Sequence, residues 1–269
     1  MTATTELKDR VVIKFAGDSG DGMQLTGGQF TNNTALLGND LATFPDFPAE
    51  IRAPLGSLAG VSGFQIQFSN DEVYTPGDHC DVLVAMNAAA LKTNLGNVKK
   101  GGTIIINISG FGTKNLRLAG YEISPLEDGS LDNFRLIQVD VTKLTRECLK
   151  ESSLGTKEQD RSKNMFVLGF LYWMYNRKLD STIRFLESKF SKKPEILDAN
   201  LSTLKAGYNY GETTETFETR YDVEPAKLRP GTYRNIMGNE ATGMGLIAAA
   251  QKSGKELFLG SYPITPASD

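Results

Sequence analysis

The stretch from residue 11 to 37 constrains the fold more than any other part of the chain. Val11-Val12-Ile13-Lys14-Phe15-Ala16 is a β-branched, apolar run that reads as a buried strand. It ends in Gly17-Asp18-Ser19-Gly20-Asp21-Gly22, and a helical pattern follows from Met23 until Gly38-Asn39 stops it. A strand that turns through a glycine-rich loop straight into a helix opens an α/β layer architecture.

The same rhythm continues. Residues 41–44 read as a short second strand, and Gly63-Phe64-Gln65-Ile66-Gln67-Phe68 alternates at period two. After the turn Ser69-Asn70-Asp71, the triplet Glu72-Val73-Tyr74 is expected to pair back as a hairpin. Further strands are expected at 81–86, 103–108 and 134–139, with helices over 88–98 and after 139 to 150. From 164 to about 206 the pattern is helical, and residues 165–174 are apolar almost all round, which predicts a buried helix. The fold class expected is α/β, with a largely parallel or mixed sheet covered by helices on both faces.

Residues 207–233 break the rhythm and are rich in Glu, Thr, Tyr and Pro, which predicts an inter-domain linker after a first domain at 1–206. A second domain is expected from 234, with a helix over 235–253 and a strand at 257–260. That strand feeds Ser261-Tyr262-Pro263-Ile264-Thr265-Pro266-Ala267-Ser268-Asp269, a stiff loop of the kind that begins a site at a strand's carboxyl end. The chain therefore reads as one complete domain plus the first elements of another.

Composition narrows the function classes. The chain has 40% apolar and 23% charged residues in 269, as ordinary globular proteins do. A net charge of -3 gives no reason to expect nucleic acid or anionic lipid as a partner. No run approaches the roughly 18 apolar residues of a membrane span, and residues 1–10 lack the apolar core of a signal peptide. A cytoplasmic protein is expected. Cys80 and Cys148 form no Cys-x-x-Cys pair, so neither an iron–sulfur cluster nor a structural zinc is expected in this chain. Both read as small buried apolar side chains. His79 is the sole histidine, which argues against a serine–histidine triad or a multi-histidine metal site.

Four segments carry possible chemistry. The loop Gly17 to Gly22 either packs as a tight turn or brings backbone N–H groups to a phosphate or to pantetheine. Its Gly-x-x-Gly-x-Gly spacing is a poor dinucleotide fingerprint, and Asp18 and Asp21 add negative charge. In Phe44-Pro45-Asp46-Phe47-Pro48-Ala49-Glu50-Ile51-Arg52-Ala53-Pro54 three prolines stiffen the loop around Arg52. Arg52 then grips a phosphate or carboxylate, or pairs structurally with Glu50 or another carboxylate. Asp160-Arg161-Ser162-Lys163-Asn164 offers two cations at a helix start, as an anion site or a solvated turn. In the last loop Tyr262 and Thr265 place hydroxyls between prolines, and Thr265 is a possible donor to a small acid.

At these motifs the chain resembles a known family. Gly260 to Asp269, preceded by Gly238-Asn239-Glu240-Ala241, resembles the start of the pyrimidine-binding domain of 2-oxoacid:ferredoxin oxidoreductases. The Gly17–Gly22 loop, the Phe47 to Pro54 loop and Gly207-Tyr208-Asn209-Tyr210-Gly211-Glu212-Thr213-Thr214-Glu215 resemble that family's gamma domain and its exit. The gamma-then-alpha order is similar to the alpha subunit of 2-oxoglutarate:ferredoxin oxidoreductases.

The resemblance implies oxidative decarboxylation of 2-oxoglutarate to succinyl-coenzyme A, with electrons passed to ferredoxin. It implies a coenzyme A-associated gamma domain, so Gly17, Asp18, Ser19, Gly20, Asp21, Gly22, Arg52, Arg161, Lys163 and Asn164 become candidate coenzyme A contacts. Tyr262 and Thr265 become candidate substrate contacts. Thiamine diphosphate, Mg²⁺ and a 4Fe–4S cluster are implied on a separate beta subunit, in an α2β2-type assembly. The family's activating glutamate lies beyond Asp269, so no complete catalytic set and no metal site is expected in this chain, which alone should not turn over. Alternatives are the same chemistry on pyruvate or on a branched-chain or aryl 2-oxoacid, and a non-catalytic lid or assembly domain.

Overall fold

The computed structural model describes residues 4–48, 53–214 and 219–262. The chain divides into two units, residues 1–228 and 229–269. In the first, β1 (Thr4–Leu7) is followed by β2 (Arg10–Asp18), α1 (Met23–Leu36), β3 (Asp40–Asp46), β4 (Val61–Ser69) and β5 (Cys80–Ala85). Next come α2 (Ala88–Asn94), β6 (Val98–Asn107), α3 (Thr113–Leu118), β7 (Arg135–Val139), α4 (Val141–Cys148) and α5 (Thr156–Gln159). Three longer helices complete it, α6 (Lys163–Met174), α7 (Asp180–Lys189) and α8 (Pro194–Thr213), with a short strand β8 (Thr219–Asp222).

Six strands form one mixed sheet in the order β3-β4-β2-β5-β6-β7. β2, β5, β6 and β7 run parallel, and β4 is antiparallel to both its neighbours. Pro45 lies in β3, an edge strand, where its missing N–H disturbs no ladder on the open side. A separate parallel pair joins β1 to β8.

The alternation of side chains along β2 splits the core into two layers. Val11, Ile13 and Phe15 pack with Met23 and Phe30 of α1 and with α6, while Val12 and Ala16 pack with Ala88 to Leu91 of α2. The α/β class expected from the sequence is therefore the observed one. As the apolar run predicted, residues 164–174 of α6 are all buried. One face of α6 meets α8 through glycines. A Cβ on Gly207 would lie 1.9 Å from the Phe166 carbonyl oxygen, and one on Gly169 would lie 2.0 Å from that of Leu204.

Several expectations differ in instructive ways. Residues 72–74 form no hairpin strand: both edges of β4 are already taken by β3 and β2, and the Val73 N–H donates to Asp40 Oδ2 at 2.7 Å instead. The segment expected as a linker from 207 begins as the last two turns of α8, because Gly207 and Gly211 lie on its buried face rather than breaking it. Further on, Tyr221 and its neighbours pair with β1. Cys148 is exposed, whereas Cys80 is buried as read.

The second unit contains α9 (Gly238–Ser253), ended by Gly254 at φ +65. Residues 255–262 form no strand, since a strand exists only as a paired ladder and no described segment pairs with them. Arg52 and Thr265 lie outside the described residues.

Candidate functional site

The helix after β2 covers one face of the sheet and the helix after β5 covers the other. The crevice between the carboxyl ends of these adjacent strands is thus a topological switch point, where open α/β sheets receive ligands. It is bounded by the Gly17–Gly22 loop and by Met86-Asn87.

The loop is built by its two aspartates. The Asp18 N–H donates to Asp21 Oδ2 at 2.9 Å, closing a one-turn helix over 19–21. Asp21 Oδ1 lies 2.8 Å from Lys163 Nζ, a largely buried pair that ties the loop to the start of α6. Asp18 accepts the Gly56 N–H at 3.0 and 3.1 Å, and a hydrogen bond from Asn87. Burial pushes the Asp18 carboxyl above its usual value, against the pull of those donors. Asn87 also caps α2 by accepting the Ala90 N–H at 2.8 Å.

Gly22 sits at φ +74, and a Cβ there would lie 2.6 Å from Asn164 Nδ2. Asn164 is 3% exposed, and its Oδ1 has no hydrogen-bond donor. Ser19 and Gly20 form the open rim of the loop: both are exposed, and a Cβ on Gly20 would touch nothing within 4 Å. The structure thus gathers Gly17 to Gly22, Lys163 and Asn164 in one place. Arg161, in the same turn, is exposed. Tyr262 belongs to the second unit and is 78% exposed.

Sequence reading missed a second feature at this sheet edge. A cavity of about 300 Å³ is lined by Ser109, Thr142, Lys143, Arg146, Glu147 and Lys150. Arg146 grips Asp160 with two hydrogen bonds of 2.7 Å, joining the wall of this cavity to the 160–164 turn. Lys143, Arg146 and Lys150 follow i, i+3, i+7 spacing, so a scan for cations on one helical face would have found them. The arrangement offers an open rim at Ser19 and Gly20 with one buried acceptor, and cations nearby on and just after α4. That combination suits an extended ligand carrying amide N–H groups and phosphates.

Comparisons with known proteins place the chain in a family. The family model described as pyruvate ferredoxin/flavodoxin oxidoreductase matches residues 12–210. The 2-oxoglutarate oxidoreductase subunit KorA of Mycobacterium tuberculosis is 54% identical over 97% of this chain. The chain spans 40% of that relative's length. Among solved structures, 2-oxoglutarate:ferredoxin oxidoreductase of Magnetococcus marinus, with 2-oxoglutarate, coenzyme A and succinyl-CoA bound, superposes with a TM-score of 0.72. Its identity is 26%, covering 97% of this chain and 40% of that one. The gamma subunit of a keto/oxoacid ferredoxin oxidoreductase from Geobacter sulfurreducens has the same fold, at TM-score 0.50 and 15% identity over 76% of this chain and 99% of that one.

Proposed function

As a member of the pyruvate ferredoxin/flavodoxin oxidoreductase family, this chain forms, we propose, the coenzyme A-binding part of a 2-oxoglutarate:ferredoxin oxidoreductase. The reaction proposed is oxidative decarboxylation of 2-oxoglutarate to succinyl-coenzyme A in the cytoplasm, with electrons passed to ferredoxin. Support for the substrate comes from the 54% identity to a 2-oxoglutarate oxidoreductase subunit. Support for the acyl acceptor comes from the coenzyme A in the Magnetococcus marinus structure.

The observation that carries the reading is the orphaned Asn164 Oδ1, buried beside an open glycine rim. A buried acceptor without a donor costs about 1–3 kcal/mol, and a ligand N–H removes that cost. In this reading Asn164 accepts an amide N–H of the pantetheine arm. Gly20 lets the arm approach the backbone closely, since no side chain stands in the way. Lys163 does not reach for phosphate, because Asp21 engages it at 2.8 Å. Its role is to fix the loop, as Arg146 holds Asp160, and Lys143 and Lys150 supply charge for the phosphates.

The first unit corresponds in this reading to the gamma domain and the second to the beginning of a pyrimidine-binding domain. A beta subunit contributes thiamine diphosphate, Mg²⁺ and an iron–sulfur cluster. Thiamine diphosphate supplies the carbanion chemistry when bound. This chain's residues bind and orient the acyl acceptor.

The test is viologen reduction by the chain copurified with its beta partner, offering 2-oxoglutarate or pyruvate with and without coenzyme A. Coenzyme A-dependent turnover of 2-oxoglutarate is expected. Asn164→Leu is expected to raise the KM for coenzyme A about tenfold, as for one hydrogen bond of roughly 1.4 kcal/mol. The KM for 2-oxoglutarate should stay unchanged. Turnover of pyruvate alone would replace the substrate, and an unchanged coenzyme A KM would remove Asn164 from the site.

A further inference from the structure

The opposite edge of the main sheet holds a second pocket that the reading above does not use. It lies at the amino ends of β2, β5 and β6, has a volume of about 230 Å³, and is lined by Lys8, Arg10, Lys99 and Lys100 together with Asp81, Tyr175 and Tyr221. Arg10 and Gly17 stand at opposite ends of β2. At about 3.3 Å per residue they are more than 20 Å apart, so this pocket is separate from the glycine loop.

The chain goes out of its way to display these cations. Cys80 pairs with Val98 and Val82 with Thr103, so four residues, 99–102, bulge out opposite Asp81 alone. Such a bulge re-aims side chains, here Lys99 and Lys100, towards the pocket. Gly101 at φ +71 supplies its turn. A Cβ on Gly102 would lie 2.8 Å from the Lys99 carbonyl oxygen, so the tight bend requires glycine there too.

The carboxylates nearby are already engaged. Asp81 accepts the Val12 N–H at 2.8 Å and holds Lys99 Nζ at 2.7 Å. Glu6 holds Lys8 Nζ at 2.5 Å. Arg10 and Lys100 have no carboxylate partner among the described residues. Of the four cations, two are thus paired and two, Arg10 and Lys100, are not.

The pocket wall also contains an unused donor. Tyr175 is 2% exposed, its ring 6.0 Å from that of Phe30 and 5.7 Å from that of Phe68, and its hydroxyl has no protein partner among the described residues. Burial pushes this phenol well above its ordinary range, so it keeps its proton and can only donate it or accept. Beside it, Tyr221 already accepts a hydrogen bond from Arg135 Nη1 at 3.3 Å, which leaves its own proton to give.

We propose that this pocket binds a small dianion, phosphoryl or dicarboxylate, held by Arg10 and Lys100 and by hydrogen bonds from Tyr175 and Tyr221. Two cations without a carboxylate partner match a dianion, and two phenol protons match oxygen acceptors. The volume admits a compact anion and not a nucleotide or coenzyme A.

The test is calorimetric titration of the full chain with inorganic phosphate in one arm and succinate in the other, with chloride held constant. Saturable binding of one of them is expected, and the tighter of the two identifies the source. Arg10→Gln and Tyr175→Phe are each expected to weaken it about tenfold, as removal of a charged or buried donor does. Arg10 is exposed, so its variant tests the site even if Tyr175→Phe disturbs the core. Lys192→Gln, an exposed lysine that lines neither pocket, should leave the affinity unchanged. Unchanged affinity in Arg10→Gln would overturn the proposal, as would the absence of saturation by both anions up to about 10 mM, a free energy of under 3 kcal/mol.

Discussion

Gly22 and Asn164 meet so closely that no side chain fits between them: a Cβ on Gly22 would stand 2.6 Å from Asn164 Nδ2. The contact joins the end of the glycine loop to the first turn of α6, and it orients the carboxamide whose oxygen is left without a donor. Gly22 also adopts φ +74, where an L side chain is strained. Gly22→Ala is therefore expected to destabilise the protein by about 2–4 kcal/mol, combining a disfavoured φ with a displaced neighbour. Chemical denaturation reads this directly. A loss under about 0.5 kcal/mol, the range of ordinary surface changes, would mean the loop relaxes freely.

Lys163→Gln tests the brace of that loop. Asp21 has a largely buried side chain and keeps the Asp18 N–H bond without its cation. The expected cost is about 1–3 kcal/mol for a charged hydrogen bond. The same variant should weaken coenzyme A binding indirectly, and Lys163→Arg should restore part of both losses. Rescue of stability without rescue of binding would assign Lys163 a direct ligand contact.

The α6–α8 crossing predicts intolerance at Gly207. A Cβ there would meet the Phe166 carbonyl oxygen at 1.9 Å, backbone against backbone, with no flexible side chain to yield. Gly207→Ala must push the helices apart, and the expected loss is about 3 kcal/mol or more. A thermal scan would show a fall in Tm of several degrees. An unchanged Tm would contradict the close approach of these helices.

The two cysteines should behave differently. Cys148 is exposed and Cys80 is buried, so a thiol reagent should modify one cysteine in the native protein and the second only on unfolding. Fast modification of both would mean that the amino end of β5 opens.

Burial pushes the Cys80 thiol up to about 12, whereas in the unfolded chain it titrates near its ordinary value of about 8.5. Below that ordinary value both states hold the proton and stability is unaffected. As pH rises above it, the unfolded state alone loses the proton, so stability falls by up to about 1.4 kcal/mol per pH unit. Tyrosines add a similar effect only above about pH 10. Denaturation between pH 8.5 and about 10 should show the decline in the wild type and a flatter profile in Cys80→Ala. Equal slopes would refute the burial of the thiol.

Much of this protein was legible in its sequence, for local reasons. The β-branched runs at 11–16, 81–86 and 103–106 name their strands, and the apolar run at 165–174 names a buried helix, because periodicity and propensity act over a few residues. The glycine loop was visible for the same reason. The Glu-, Thr- and Tyr-rich composition from 207 was misleading, since α8 continues there to Thr213 with Gly207 and Gly211 packed against α6. Val73 was misleading because no local pattern says that both edges of β4 are occupied.

The sequence by itself determined the α/β alternation and the position of the glycine turn after the first long strand. Only the tertiary structure decided that Asp21 would spend its charge on Lys163, that Asn164 would be buried without a donor, and that Arg10 and Lys100 would converge with Tyr175. These partners lie 142 positions apart for Asp21 and Lys163 and 165 for Arg10 and Tyr175. Hydrogen bonds and charge pairs act over a few ångströms in space, and the distances that decide them are set by sheet order and helix packing, which no local pattern encodes.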